Sequence, residues 1–227
     1  MQSSQTCRWH EFNNRAPFEQ AASRDILEAA QRAIEAQGAF RIVLAGGNTP
    51  RDIYRMLCHA DTDWSAWHIY FGDERCLPAD HPERNSSMAR SVWFDHVAVP
   101  LRQIHVIPAE LGPQKAAANY ARELAGIAEF DLVLLGLGED GHTASLFPGG
   151  AWEHANAWPD VLPVHDAPKP PSHRVSLSPA RLSHAARVMF LASGESKHEA
   201  VMKWRAGVAI PASRICPAGG VDIFLCT

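Results

Sequence analysis

No segment of the chain approaches the roughly 20 consecutive apolar residues that a bilayer-crossing helix needs. A dominant charge is also missing: 21 Lys and Arg stand against 25 Asp and Glu, a net charge of −4, so no global field draws the chain to nucleic acid or to an anionic membrane. An anionic ligand must be caught by a local site. Cysteine is scarce and scattered. Cys7, Cys58, Cys76, Cys216 and Cys226 are odd in number and lack the close spacing of zinc or redox motifs, so they read as buried free thiols. No histidine pair flanks carboxylates in ligand spacing, and neither a metal nor another cofactor is expected. Internal repeats, coiled-coil heptads and low-complexity tails are absent too. Residues 1–14 carry His10, Glu11 and several amides where a secretory signal has an apolar core, which places the expected protein in the cytoplasm.

What the chain does have is the composition of a globular domain, with 46% hydrophobic and 20% charged residues. At 227 residues with no dividing linker it reads as one domain, 1–227. Short β-rich runs at 40–45, 68–71, 104–107, 131–136, 174–177, 188–192 and 222–225 alternate with helical patterns. Most are continuous apolar stretches, as in strands buried on both faces of a parallel sheet. In the first helix Ser23 is the expected cap, Ile26, Leu27, Ala30, Ala33 and Ile34 the apolar stripe, and Gly38 the stop. The βαβα order predicts an α/β fold with a doubly wound, mostly parallel sheet flanked by helices. Residues 147–172 contain six prolines, Pro148 to Pro171, which exclude a long helix or a central strand and predict a surface excursion.

Four turns at strand ends carry possible chemistry. In Gly46-Gly47-Asn48-Thr49-Pro50-Arg51-Asp52, Thr49 suits an N-cap, Pro50 the first helical position, and Asp52 a capping-box partner. The glycines allow close backbone approach to a phosphate at a helix N-terminus; a well-capped turn with no ligand is the alternative. In Gly72-Asp73-Glu74-Arg75, Arg75 is a candidate phosphate partner and Asp73 a candidate for a sugar hydroxyl, against a solvated local ion pair. The run from Asp131 to Gly136 leads into Gly138-Glu139-Asp140-Gly141-His142, which delivers His142 to the crevice edge. Its unperturbed pKa of about 6.5 leaves neutral imidazole plentiful at pH 7, as activation of water requires. Asp140 orients it if the turn folds back, or else merely caps the next turn. Lys197, after Gly194, offers a point charge to phosphate unless it is simply solvated.

Together these segments resemble the bacterial 6-phosphogluconolactonase family, within the larger glucosamine-6-phosphate isomerase/lactonase group. The likeness covers nearly all of the chain from about Ser23. Its marks are Gly46-Gly47-Asn48-Thr49-Pro50, Asp73-Glu74-Arg75 and, above all, the run from Gly138 to Pro148. Pro170-Pro171-Ser172-His173-Arg174-Val175 and the Gly194 turn support it. The resemblance implies a Rossmann-like sheet and metal-free hydrolysis of a sugar-phosphate δ-lactone, with His142 as general base and Asp140 as its helper. Phosphate would lie against Gly46, Gly47, Asn48 and Thr49, with Arg75 and Lys197 as positive partners. The expected partner is this small substrate alone, and the expected assembly a monomer or weak homodimer. Where the family often has Ser-Asn this chain has Arg84-Asn85, a change that puts charge near the site in question. The rivals are a glucosamine-6-phosphate deaminase or isomerase, disfavoured because Thr143 to Pro148 supplies no carboxylate, and a non-catalytic sugar-phosphate sensor, disfavoured by the retained His142 and the lack of room for a DNA-binding domain.

Overall fold

In chain order the elements are β1 (Cys7–Phe12), α1 (Arg15–Gln37), β2 (Phe40–Leu44), α2 (Asn48–Leu57), β3 (Trp67–Phe71), β4 (Asp73–Arg75), α3 (Asn85–Val92), α4 (Pro113–Leu124), β5 (Phe130–Gly136), β6 (Val161–Val164), β7 (Arg174–Leu177), α5 (Pro179–Ser183), β8 (Ala185–Ser193), α6 (His198–Arg205) and β9 (Val221–Cys226), with short 3-10 turns between some of them. The computed structural model describes residues 5–154 and 157–227, so expectations for residues 1–4, 155 and 156 lie outside the described residues.

Six strands form a parallel sheet in the order β1-β9-β8-β5-β2-β3. β9 is buried at every residue and β2, β5 and β8 at most of theirs, which is why their sequences run apolar without alternation. β2 hands the chain outward to β3 at one edge, whereas β5 leads through β8 toward the other. The C-terminal ends of the adjacent strands β2 and β5 therefore frame a crevice, the place where open α/β sheets hold ligands.

Two buried tyrosines fix the strand ends beneath that crevice. Tyr54 on α2 accepts from the Ala45 N–H at 3.0 Å and donates to the Ala45 carbonyl at 2.9 Å, satisfying both polar groups where β2 ends. Tyr120 on α4 does the same for Phe71 at the end of β3, at 2.9 and 3.3 Å. Burial pushes both phenols well above their ordinary pKa, so they remain neutral donors.

Several local expectations are corrected. Ser23 does not cap α1; the helix begins at Arg15, with Asn14 in extended conformation before it, and Ser23 is buried inside with its hydroxyl toward Met56. Gly38 does stop the helix, at φ 75° with its N–H on the Ile34 carbonyl. Residues 104–107 form no strand. Only Ile104 bridges Ile69, because a 3-10 turn at Leu101–Gln103 enters the segment and Pro108 leaves it. Arg174–Leu177 is a strand, but it belongs to a separate antiparallel sheet in the order β4-β7-β6. The proline-rich stretch supplies β6, whose Pro163 is tolerated because β6 is an edge strand. Of the cysteines only Cys226 is buried; the other four are half-buried, and all are free thiols.

Candidate active site

The turn after β5 folds back on itself. The Gly138 N–H donates to the His142 carbonyl at 2.7 Å and the Gly141 N–H to the Gly138 carbonyl at 3.0 Å. His142 Nδ1 then lies 2.5 Å from Asp140 Oδ1, which also accepts from the His142 backbone N–H at 3.1 Å. Gly138 is obligatory here, since a Cβ on it would come within 1.9 Å of His142 Nδ1. With Nδ1–H on the carboxylate, Nε2 is the nitrogen left to take a proton. Burial pushes the imidazole below its ordinary value of 6.5; the Asp140 hydrogen bond and charge oppose this, and Lys169 adds to it. Burial alone would raise the Asp140 carboxyl, but its bonds from the His142 ring and backbone outweigh that and hold it below 3.8. Neutral imidazole beside ionised carboxylate is the resting pair at pH 7.

The loop beyond is held at some cost. Ala144 sits at φ 48°, a left-handed conformation that costs a non-glycine residue about 1–2 kcal/mol. Its neighbours hold it there. Thr143 donates to the Gly136 carbonyl at 2.8 Å, and Ser145 donates to Asp73 Oδ2 at 2.6 Å.

Asp73 and Arg75 are not merely the end of β3, as the sequence reading had it; after Gly72 they form β4 of the small sheet. Asp73 is 6% exposed, and its Oδ1 accepts from Asn85 at 2.9 Å. Arg75 donates to the Glu83 carbonyl at 2.5 Å and keeps an unpaired buried Nε. Glu74 between them points inward. Its carboxylate accepts from the N–H groups of Arg75, Asn85 and Ser86 and from the Ser86 hydroxyl, all within 2.9 Å, and so anchors the first turn of α3. Burial pushes its pKa up, and these bonds oppose the rise.

The predicted phosphate residues meet in two adjoining compartments. The larger, about 530 Å³, is lined by Gly46, Gly47, Asn48, Thr49, Arg15, Ser193 and Lys197 among others. The smaller, about 210 Å³, holds His142, Asp73, Arg75, Asn85, Lys169 and Arg174. Gly46, Gly47 and Lys197 border both, while Asn48 and Thr49 line only the larger and Arg75 only the smaller. The capping chemistry also differs from expectation. Gly47, at φ 103°, takes the cap position, which puts Pro50 third in α2. The Thr49 hydroxyl bonds Ser193 Oγ at 2.7 Å, and Asp52 gathers Arg15, Arg51 and Arg55 instead of capping. Asn48, Thr49 and Pro50, the first residues of α2, line the larger compartment, and the N–H groups of Asn48 and Thr49 have no partner within the helix.

Lys169 and Arg174 also line the smaller compartment; no local sequence signal singles them out as site residues, although Arg174 lies in the Pro170-Pro171-Ser172-His173-Arg174-Val175 segment. Arg174 is 6% exposed, is held by the carbonyls of Lys169, Pro170 and Pro171, and stacks over Phe147 at 5.5 Å. Among the described residues, no group of three or more His, Cys, Asp or Glu side chains is placed to hold a metal. No described helix is long and apolar enough to cross a membrane.

Comparison with known proteins turns this geometry into kinship. The family model described as glucosamine-6-phosphate isomerases/6-phosphogluconolactonase matches residues 13–224. The chain belongs to that family. A 6-phosphogluconolactonase of Synechocystis is 39% identical over 184 residues, 75% of this chain and 73% of the relative. One from Nostoc is 35% identical over 212 residues, 86% and 85% of the two chains. Among solved structures, the 6-phosphogluconolactonase of Thermotoga maritima superposes with TM-score 0.90 at 26% identity, covering 98% of this chain and all of that one. That of Trypanosoma brucei gives 0.84 at 29% identity, covering 98% and 97%. Arg84, whose charge the sequence placed in question, stays out of the cleft. Arg84 is 1% exposed, lines neither compartment, and donates to Glu110 at 2.8 Å and the Ile107 carbonyl at 2.6 Å, so its charge is spent inside the fold.

Proposed function

We propose that the chain hydrolyses 6-phospho-D-glucono-1,5-lactone to 6-phosphogluconate, the lactone-opening step of the oxidative pentose phosphate pathway, with His142 as general base. The observation that carries this reading is the 2.5 Å His142–Asp140 pair inside a cleft rimmed by cations. The substrate phosphate lies in the larger compartment against Gly46, Gly47, Asn48 and Thr49, with Lys197 as its cation. That leaves the lactone ring in the smaller compartment. Neutral His142 takes a proton through Nε2 from water attacking C1, and Asp140 favours the imidazolium that develops. The tetrahedral adduct then collapses with cleavage of the bond from C1 to the ring oxygen, which receives the proton from the imidazolium. Arg75, Lys169 and Arg174 lend positive charge to the oxyanion side. Water is added with no change of oxidation state, so the reaction calls for no redox cofactor. A deaminase-type second carboxylate beside the imidazole finds no support, because Thr143 to Pro148 contains none and Phe147 packs on the His142 ring at 4.5 Å. The same reading keeps the protein cytoplasmic and a monomer or weak homodimer.

The test is hydrolysis at mildly acidic pH with the spontaneous rate subtracted, in wild type and His142→Asn. An amide keeps a hydrogen bond but cannot accept the proton. Turnover should fall roughly 100-fold or more while 6-phosphogluconate still binds. Near-normal turnover in His142→Asn would move the base elsewhere, and a wild-type rate equal to the blank would end the lactonase reading.

A further inference from the structure

Asn85 is 5% exposed yet lines the compartment that holds His142. Its side-chain nitrogen donates to the Asp73 carbonyl and to Asp73 Oδ1, both at 2.9 Å. Since both partners are oxygens, the nitrogen end is fixed and the oxygen end must face the other way. It faces Gly46: a Cβ there would come within 1.9 Å of Asn85 Oδ1, so glycine is what makes room for this carboxamide. Among the described residues no N–H or O–H group donates to that oxygen, whereas the backbone N–H of Asn85 is held by Glu74 at 2.8 Å. The two bonds to Asp73 hold the carboxamide in this orientation.

The oxygen is not sealed inside the fold but opens on the compartment with no protein donor of its own, so a ligand hydroxyl can take the place that water otherwise fills. Asp73, the other acceptor beside it, is already engaged on both oxygens, by Asn85 at 2.9 Å and Ser145 at 2.6 Å. We infer that Asn85 Oδ1 accepts a hydrogen bond from one ring hydroxyl of the sugar lactone and thereby selects hydroxylated lactones. This rests on the lactonase reading above. A site built to pair a substrate hydroxyl discriminates strongly against the analogue that lacks it, because the protein's own polar group is then left unpaired.

The experiment compares kcat/KM for the parent phospholactone and its 2-, 3- and 4-deoxy counterparts in wild type and Asn85→Ala. One deoxy lactone should lose roughly 10-fold or more with wild type, and Asn85→Ala should treat that analogue and the parent alike. If Asn85→Ala does not fold, Asn85→Ser provides the same comparison. A uniform loss on all four lactones in the variant overturns the acceptor role and reduces Asn85 to a support for Asp73. Equal rates on all four with wild type overturn it without any variant. Failure of wild type to open the parent lactone is a separate result, which removes the lactonase reading and this inference together.

Discussion

His142 is poised between opposed influences: burial and Lys169 disfavour its charged form, and Asp140 favours it. Replacing Asp140 by Asn removes the larger favourable charge and leaves only Asp73 to oppose burial. The imidazole pKa should then fall further, so the acidic limb of kcat/KM in Asp140→Asn moves to lower pH than in wild type. The plateau should drop roughly 100-fold or more, because an amide carries no charge to stabilise the imidazolium and can turn its NH2 toward Nδ1, which favours the wrong tautomer. A pH–rate profile of both proteins decides it, and a limb displaced upward would refute the arrangement. These two residues were legible in the sequence because the glycine turn that joins them is local. Lys169 and Arg174 were not, since only the small sheet and the proline-rich segment bring them to His142. Asn85 was overlooked for a related reason: what singles it out is contact with Gly46 and Asp73, residues remote in sequence.

At the scale of elements, β1 escaped the sequence reading because it is a half-exposed edge strand with no apolar run. Charge fastens it instead. Asp222 on β9 accepts from Arg8 at 2.8 Å and His10 at 3.1 Å on β1, and from Arg187 at 3.2 Å on β8. Asp222 is 4% exposed, and although burial opposes ionisation, these bonds hold its carboxyl far below 3.8. Asp222→Asn should lose about 2 kcal/mol at pH 7 in urea unfolding, a figure discounted because Arg8 and His10 are substantially exposed. A depressed native pKa contributes stability above the unfolded value, and that contribution fades as pH falls through it. The gap between variant and wild type should therefore close on acidification below about pH 4. A gap constant with pH would mean that packing, not charge, holds β1. The central strands, by contrast, were read correctly from their apolar runs. Misplacing Arg174–Leu177 in the main sheet had a physical cause as well, because a buried run states how many faces are covered and not which strand lies beside it.

Over the whole molecule, the adjacency of β2 and β5 matters most, and no local pattern encodes it. It sets the α2 N-terminus and Lys197 beside the His142 compartment, and under the proposed function phosphate binding and ring opening are separate tasks in these adjoining spaces. A dephosphorylated lactone should consequently lose roughly 100-fold in kcat/KM, and Lys197→Ala should act chiefly on KM. Similar kcat/KM for the two lactones would remove the phosphate from the larger compartment. The two tyrosines beneath the crevice have a consequence in time. Each hydroxyl closes off a strand-end amide that would otherwise breathe with the neighbouring loop, so the hydrogens of Ala45 and Phe71 are released only when the sheet itself opens. In deuterated water those two amides should keep their protons about as long as the strand centres do, long after the exposed rim residues Glu195 and Ser196 have exchanged. Early loss at Ala45 or Phe71 would mean that the floor of the cleft moves with its rim.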